Sequence, residues 1–507
     1  MKGALLVCGT HSDAGKSVVT AGICRWLHRS GVSVAPFKAQ NMALNSVVTL
    51  DGSEIGRAQA MQAAAAGVEP EAAMNPVLIK PSGERHSQVV VMGRPYAEAD
   101  ARSYQELKDD LRPIVAAALA DLRERHDVVV CEGAGSPAET NLRRADIANM
   151  GLAREAGLPV LIVGDIDRGG VLASLYGTLA LLDPADQAHV AGFVINKFRG
   201  DATILAPALV QLEQLTGRRT LGVLPWIEDL WMDAEDSLAL EASRPEQQSE
   251  GDTLDVAVVR LRWMSNFTDF DALAFEPGVR VRFTRSAADV ERADLVIVPG
   301  TKATVDDLAR LRSAGLDRAI AARAAKGAPI LGICGGYQML GQRIVDEVES
   351  RSGGVEGLDL LPVSTVFASD KLLRRRAGSC AWLGTPATGY EIRHGRVERQ
   401  GGEPVLLAAD GEPDGCRSGS VTGISWHGAL EQDELRRALL RWVAAERGRR
   451  FVPGPTSFAA AREERLDALG DLVAAHLDTA RVAELIEGGV PGALPAVRTE
   501  VDACFVS

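Results

Sequence analysis

Residues 4–17 read Ala4-Leu5-Leu6-Val7-Cys8-Gly9-Thr10-His11-Ser12-Asp13-Ala14-Gly15-Lys16-Ser17. An apolar run of strand length enters a glycine-rich turn, and helical spacing follows from Ser17 to Arg29. Strand, turn and helix in that order make a phosphate loop. Successive backbone N–H groups and a helix N-terminus wrap phosphate oxygens, Lys16 adds a point charge, and the Ser17 hydroxyl suits Mg²⁺. Gly9, Thr10, Asp13, Gly15, Lys16 and Ser17 are therefore the candidate ATP-binding residues. The stretch from Gly9 to Gly15 is one residue longer than the common spacing.

Working outward, strand-like runs at 4–8, 32–36, 127–131, 160–163, 190–195 and 220–224 alternate with helix-like runs at 17–29, 55–67, 104–125, 146–156, 171–182 and 203–216. Continuous apolar strands between helices predict a parallel sheet covered on both faces. Residues 236–253 contain a polar linker, and a second strand pattern begins at 254–261 and continues at 279–283, 295–298, 329–333 and 421–426. The prediction is α/β, with two doubly wound, mostly parallel sheet domains at 1–235 and 254–450. A helical extension follows at 451–507, with Leu466, Leu469, Leu472, Val473, His476 and Leu477 at helical spacing over 456–487.

The 507 residues are 46 % hydrophobic and 24 % charged, which excludes a wholly disordered chain. With 55 Lys+Arg against 68 Asp+Glu, the net charge of −13 speaks against general nucleic-acid binding. No apolar run reaches the ~18 residues of a membrane span, and the first apolar run is too short for a signal-peptide core. Seven scattered cysteines without a CxxC pair point to a reducing cytoplasm. The sequence leaves the oligomeric state open.

Ligands bind at the C-terminal edge of parallel strands. Glu132 ends the 127–131 strand and precedes Gly133-Ala134-Gly135, so it is a candidate Mg²⁺ ligand. Lys38 and Asn196 end other strands of the same sheet and are candidates for the nucleotide; a solvated lysine and a turn asparagine are the plain alternatives. Glu54 reads on its own as an acidic residue opening a helix.

A second centre lies at Pro329-Ile330-Leu331-Gly332-Ile333-Cys334-Gly335-Gly336-Tyr337-Gln338. A buried strand runs into Gly-x-Cys-Gly-Gly and a helix, the geometry that presents a nucleophile on a sharp turn. The positive end of the following helix suits an anionic sulfur, and the Gly335 N–H would donate to an oxyanion. A nucleophilic cysteine needs a base. His427 at the end of the 421–426 strand is the first candidate among eight histidines, with His394 as competitor. Gly300, in the turn after the 295–298 strand, is a further oxyanion candidate.

The elongated phosphate loop resembles dethiobiotin synthetase. Its pairing with a class I glutamine amidotransferase domain resembles the cobyrinic acid amidating enzymes. Residues 37–46, 54–60, 132–139, 164–170, 195–201 and 265–271 carry that resemblance. It implies a P-loop NTPase-like amidoligase domain followed by a flavodoxin-like glutaminase domain. The implied activity is glutamine- and ATP-dependent amidation of four carboxylates (b, d, e and g) of adenosylcobyrinic acid a,c-diamide. It raises Glu54 to a second Mg²⁺ ligand, and it places Arg57, Arg168 and Arg199 near a polyanionic corrinoid; solvated surface arginines are the alternative. Ordinary class I amidotransferases carry a Glu two residues after the histidine, where this chain has Ala429, so the partner of His427 stays open. The run Ser425-Trp426-His427-Gly428-Ala429 also departs from the usual pattern around that histidine. The a,c-diamide synthases and CTP synthase are the enzyme alternatives. The missing Glu and the 265–271 segment disfavour the latter. A partitioning-type nucleotide switch is the non-enzyme alternative, disfavoured because Thr10-His11-Ser12 lacks an early lysine.

Overall fold

The computed structural model describes residues 1–227, 250–492 and 494–497. Most of the predicted 236–253 linker and the end of the 451–507 extension, Cys504 included, lie outside the described residues.

The first sheet is parallel throughout, in the order Thr220–Pro225, Val190–Phe198, Val160–Asp165, Gly3–Gly9, Val128–Glu132, Val34–Phe37. Its central strands are apolar on both faces because helices cover both, and Leu5, Leu6, Val7, Val129 and Ile162 have no exposed surface. The strand order reverses between Gly3–Gly9 and its neighbours, so Gly9, Glu132 and Asp165 end at one edge.

The second sheet runs Val279–Thr284, Leu254–Val259, Leu295–Val298, Ile330–Ile333, Val421–Ile424, with the short Cys416–Ser418 antiparallel at its edge. Cys334 follows Ile330–Ile333, and His427 follows the neighbouring Val421–Ile424. Adjacency of those two strands brings nucleophile and base together across 93 residues of sequence.

Three features differ from the sequence reading. Residues 40–99 add a four-stranded sheet, Gln40–Met42, Val77–Pro81, Ser87–Val91 and Arg94–Ala99, and a small hairpin of Ser46–Val48 with Glu54–Gly56. Glu54 therefore lies in a strand, and the helix predicted from residue 55 starts at Arg57 and ends at Ala65, because Ile55 is paired with Val47. In the second half, Val363–Cys380 and Thr385–Arg399 form a long antiparallel hairpin.

The third difference is the tail. The single helix predicted over 456–487 is two, Phe458–His476 and Thr479–Gly488. The break has a cause: Asp478 N–H donates to Leu221 O at 2.7 Å, and the Asp478 carboxylate caps the second helix by accepting from Arg481 N–H. Both helices pack on the first sheet. Leu466, Leu469, Leu472, Val473, Val482, Leu485 and Ile486 share one apolar cluster with Leu5, Val7, Val19 and Ile23. Arg25 joins Glu463 and Asp467 at 2.9 Å along this seam.

Candidate functional site

At the first sheet edge, the phosphate loop is bent by Asp13 (φ 61°) and Gly15 (φ 103°). A Cβ on Gly15 would come within 1.9 Å of Asn196 Nδ2, so only glycine admits Asn196 against the loop. Asn196 Nδ2 donates to Ala14 O at 3.2 Å. Thr10 N–H donates to Val163 O, and Lys197 Nζ donates to Asp13 O at 2.9 Å, so the loop is tied to neighbouring strand ends. Lys16 Nζ donates to His11 O (3.1 Å) and Gly135 O (3.2 Å), across the mouth of the loop.

Glu132 is fully buried and collects three donors. Ser17 Oγ and Lys38 Nζ each reach Oε1 at 2.9 Å, and Gln62 Nε2 donates to Oε2. Burial opposes ionisation of this carboxyl, but Lys38 and then Lys16 overcome it and hold it below the usual range. Sequence reasoning missed Gln62, whose only signal is its place one turn and a half into the helix after Gly56. It also missed Asn149, which accepts from Ala134 N–H at 3.0 Å and donates to Ala134 O at 2.7 Å, fixing the loop after Glu132.

The donor set fits Mg²⁺. A hydroxyl and a carboxylate meet at a helix N-terminus beside a phosphate cradle, and Mg²⁺ takes one or two such oxygens besides phosphate and water. Glu54 does not join them. Its Oε1 accepts from Ser46 Oγ (2.7 Å) and Lys80 Nζ (2.5 Å), and its Oε2 from Lys371 Nζ (2.6 Å). Burial pushes Glu54 up, but Lys371 and Lys80 win and hold it well below the carboxylate range. No bond links it to Ser17 or Glu132 among the described residues. In this structure Glu54 joins the two halves of the chain, apart from the Ser17–Glu132 pair.

The three arginines also separate. Arg57 is buried and paired with Glu431 of the second half, so it is no free surface charge for a corrinoid. Arg168 and Arg199 are exposed near the phosphate-loop edge. Arg168 lies 3.8 Å from Asp13, and Arg199 pairs with Asp167 at 3.0 Å and covers the Trp226 ring at 4.0 Å.

At the second edge, Cys334 adopts φ 49°, ψ −108°, a strained backbone that an L-residue holds only where the surroundings impose it. The Gly335–Leu340 helix starts beside it. His427 is buried and lines the same cavity as Cys334, whose Sγ lies 3.8 Å from Ile392 O. Its Nδ1 meets Asp269 Oδ2 at 2.7 Å, and Asp269 Oδ1 accepts from Gly428 N–H at 2.7 Å. Asp269 thus supplies the carboxylate missing at Ala429, from a segment 158 residues earlier. Burial would lower the His427 pKa, but Asp269 and then Cys334 raise it to about 10. Gly300 lies against the same ring: a Cβ there would sit 2.7 Å from His427 Cε1. His394 lines the same cavity but is bonded through Nδ1 to Ala368 O at 3.0 Å. The cavity is also walled by Lys302, Gln338, Lys371 and, from the first half, Lys80.

Residues 5–239 match the family described as CobQ/CobB/MinD/ParA nucleotide binding domain, and residues 255–435 match CobB/CobQ-like glutamine amidotransferase domain. Cobyric acid synthase of Frankia casuarinae is 60 % identical, covering 98 % of this chain and 99 % of the relative. That of Streptomyces coelicolor is 60 % identical with the same coverages, and that of Rhodococcus jostii is 57 % identical over 98 % of each chain. The chain belongs to the cobyric acid synthase family. It is an amidating ligase with a nucleotide-binding half and a glutamine amidotransferase half, as the sequence resemblance implied. This membership sets aside CTP synthase and the nucleotide switch. Among the described residues no helix is long and apolar enough to cross a membrane.

Proposed function

We propose that the chain amidates the b, d, e and g carboxylates of adenosylcobyrinic acid a,c-diamide, using glutamine and ATP, to give adenosylcobyric acid. The observation that carries this reading is the Cys334–His427–Asp269 arrangement in a cavity partly walled by Lys80 of the nucleotide half.

The Cys334 proton rests on His427, and the thiolate attacks the glutamine side-chain amide. Asp269 holds Nδ1, which leaves Nε2 for the sulfur, and it stabilises the imidazolium. The Gly335 N–H, with the Gly300 turn, faces the developing oxyanion. His427 then returns the proton to the leaving NH₃, and water releases glutamate from the thioester. In the nucleotide half, Gly9 to Ser17 hold the triphosphate, and Lys16 neutralises the γ-phosphoryl as a corrinoid carboxylate attacks it. Lys38 and Asn196 complete the loop's surroundings. Ser17 and Glu132 would hold Mg²⁺, which supplies charge neutralisation at the phosphates. NH₃ from the thiol site displaces phosphate from the acyl phosphate, giving the amide. Arg168 and Arg199 are the arginines left to meet corrinoid carboxylates. Six cysteines of the described residues are free thiols, which suits a reducing cytoplasm.

The test is amide formation by the full chain with glutamine, ATP, Mg²⁺ and the a,c-diamide, followed by mass spectrometry, with glutamate release measured in parallel. Four amidations, each dependent on ATP, are expected. In Cys334→Ala, glutamine-dependent amidation should vanish while high ammonium salt at raised pH still drives it. A variant that still uses glutamine, or that stays folded yet loses the ammonia reaction, would overturn the two-centre reading.

A further inference from the structure

Asp269 lies in a single turn, Phe267–Phe270, which follows Asn266 in a left-handed conformation (φ 51°, ψ 41°). Within that turn, Asp269 N–H donates to Asn266 O at 3.0 Å. Its fastenings come from the other half of the chain. Phe267 N–H donates to Asn45 Oδ1 at 3.1 Å, and Ser46 N–H donates to Asn266 Oδ1 at 2.8 Å. All four residues are buried, with Asn45 at 1 %, Ser46 at 0 %, Asn266 at 2 % and Asp269 at 2 % exposure. Two reciprocal amide bonds therefore fix the turn that aims the carboxylate at His427. Asn45 is itself fixed, because Arg57 N–H donates to Asn45 O at 3.0 Å.

We infer that Asn45, a residue of the nucleotide half, is a positioning residue for the glutaminase centre, acting through Asp269. Asn45 reaches the turn through Phe267 N–H and is not among the residues lining the cavity of His427 and Cys334. Without its Oδ1, Phe267 N–H loses its partner in a buried place, which is unfavourable. The turn can relieve that only by shifting, and a shift moves Asp269 off Nδ1. A misplacement of about 1 Å is enough to cost up to about a hundredfold in rate. The loss would fall on kcat, because Asn45 lies outside the lining of the cavity, to which Asn266 belongs. The inference rests on the glutaminase reading above.

The experiment uses the full chain and compares Asn45→Ala, Asn45→Asp, Asp269→Ala and the double variant N45A/D269A in glutamine hydrolysis. Asn45→Ala should lower kcat about tenfold with KM within about twofold. Asn45→Asp keeps an oxygen that accepts from Phe267 N–H, so it should recover most of the rate. Because Asn45 acts through Asp269, the double variant should be no slower than Asp269→Ala alone. Wild-type kcat in Asn45→Ala, or losses that multiply in the double variant, would overturn the proposal. Ammonia-driven amidation reports on folding; should Asn45→Ala fail to fold, Asn266→Ala breaks the other bond of the clasp and is read against Asp269→Ala by the same criterion. A wild-type chain that releases no glutamate would sink the glutaminase reading itself, whereas a working wild type with an indifferent Asn45→Ala would sink only the clasp.

Discussion

The histidine at the thiol centre carries its proton more tightly than an ordinary imidazole, and Asp269 contributes most to this. Asp269→Asn keeps an oxygen for Gly428 N–H but presents an amide to Nδ1, which favours the wrong ring tautomer. Glutamine hydrolysis should fall by on the order of a hundredfold or more. The sign of the pH effect follows from the raised value of about 10. A raised imidazole contributes stability that is complete below the ordinary range near 6.5 and lost as pH rises through about 10. The gap in thermal midpoint between wild type and D269N should therefore be widest at pH 6 and shrink toward pH 10. A gap that widens with pH would mean that Asp269 does not hold the charged ring. Gly300→Ala is the steric counterpart. Its methyl would press on His427 Cε1, so glutamine hydrolysis should fall while ammonia-driven amidation persists. Equal loss of both reactions would show that the turn serves folding. Cys334, His427 and Glu132 were legible because strand-end chemistry has a local signature. Asp269 was not, because a carboxylate brought from 158 residues away obeys no spacing rule. The segment around it was noticed only as part of a resemblance.

Among the elements, the parallel strands were readable because burial on both faces writes them as unbroken apolar runs. The added strands of residues 40–99 and the long hairpin carry charges where a sandwich strand would alternate cleanly. Lys371, Arg374, Arg375 and Arg376 fall in one strand, and Lys371 and Arg376 are buried in ion pairs rather than solvated. Glu54 was read at the mouth of an alanine-rich helix for the same reason: local propensity favoured helix, and pairing with Ser46–Val48 overrode it. The Glu54–Lys80–Lys371 cluster is thus the link between the small hairpin, the four-stranded sheet and the long hairpin. Glu54→Ala leaves two buried lysines facing each other without their carboxylate, which costs about 3–5 kcal/mol by analogy with other broken buried pairs. Calorimetry should show a lower midpoint, whereas an unchanged midpoint would mean that the cluster is hydrated and weak. Glu54→Gln, which keeps acceptor oxygen but no charge, should fall between.

On the scale of the molecule, the tail is part of the first core. Seven large apolar side chains of its two helices pack there, and at ~1.5–3 kcal/mol each their burial is worth roughly 10–20 kcal/mol as an upper bound. That matches or exceeds the ~5–15 kcal/mol net stability of a whole domain. A chain stopped after residue 450 should therefore lose nucleotide binding and aggregate; a soluble, ATP-binding product of that length would contradict the packing. The two sheets were placed correctly in order along the chain, but helical periodicity could say only that the tail has an apolar face, not which sheet receives it. That arrangement bears on how the protein is made. The strand that opens the phosphate loop leaves the ribosome long before the helices that roof it. At about 5–20 residues per second, the nascent first sheet waits on the order of ten seconds or more with one apolar face bare. Throughout that interval the face is open to chaperones, and the nucleotide half, although synthesised before the glutaminase half, cannot close its core until the tail arrives.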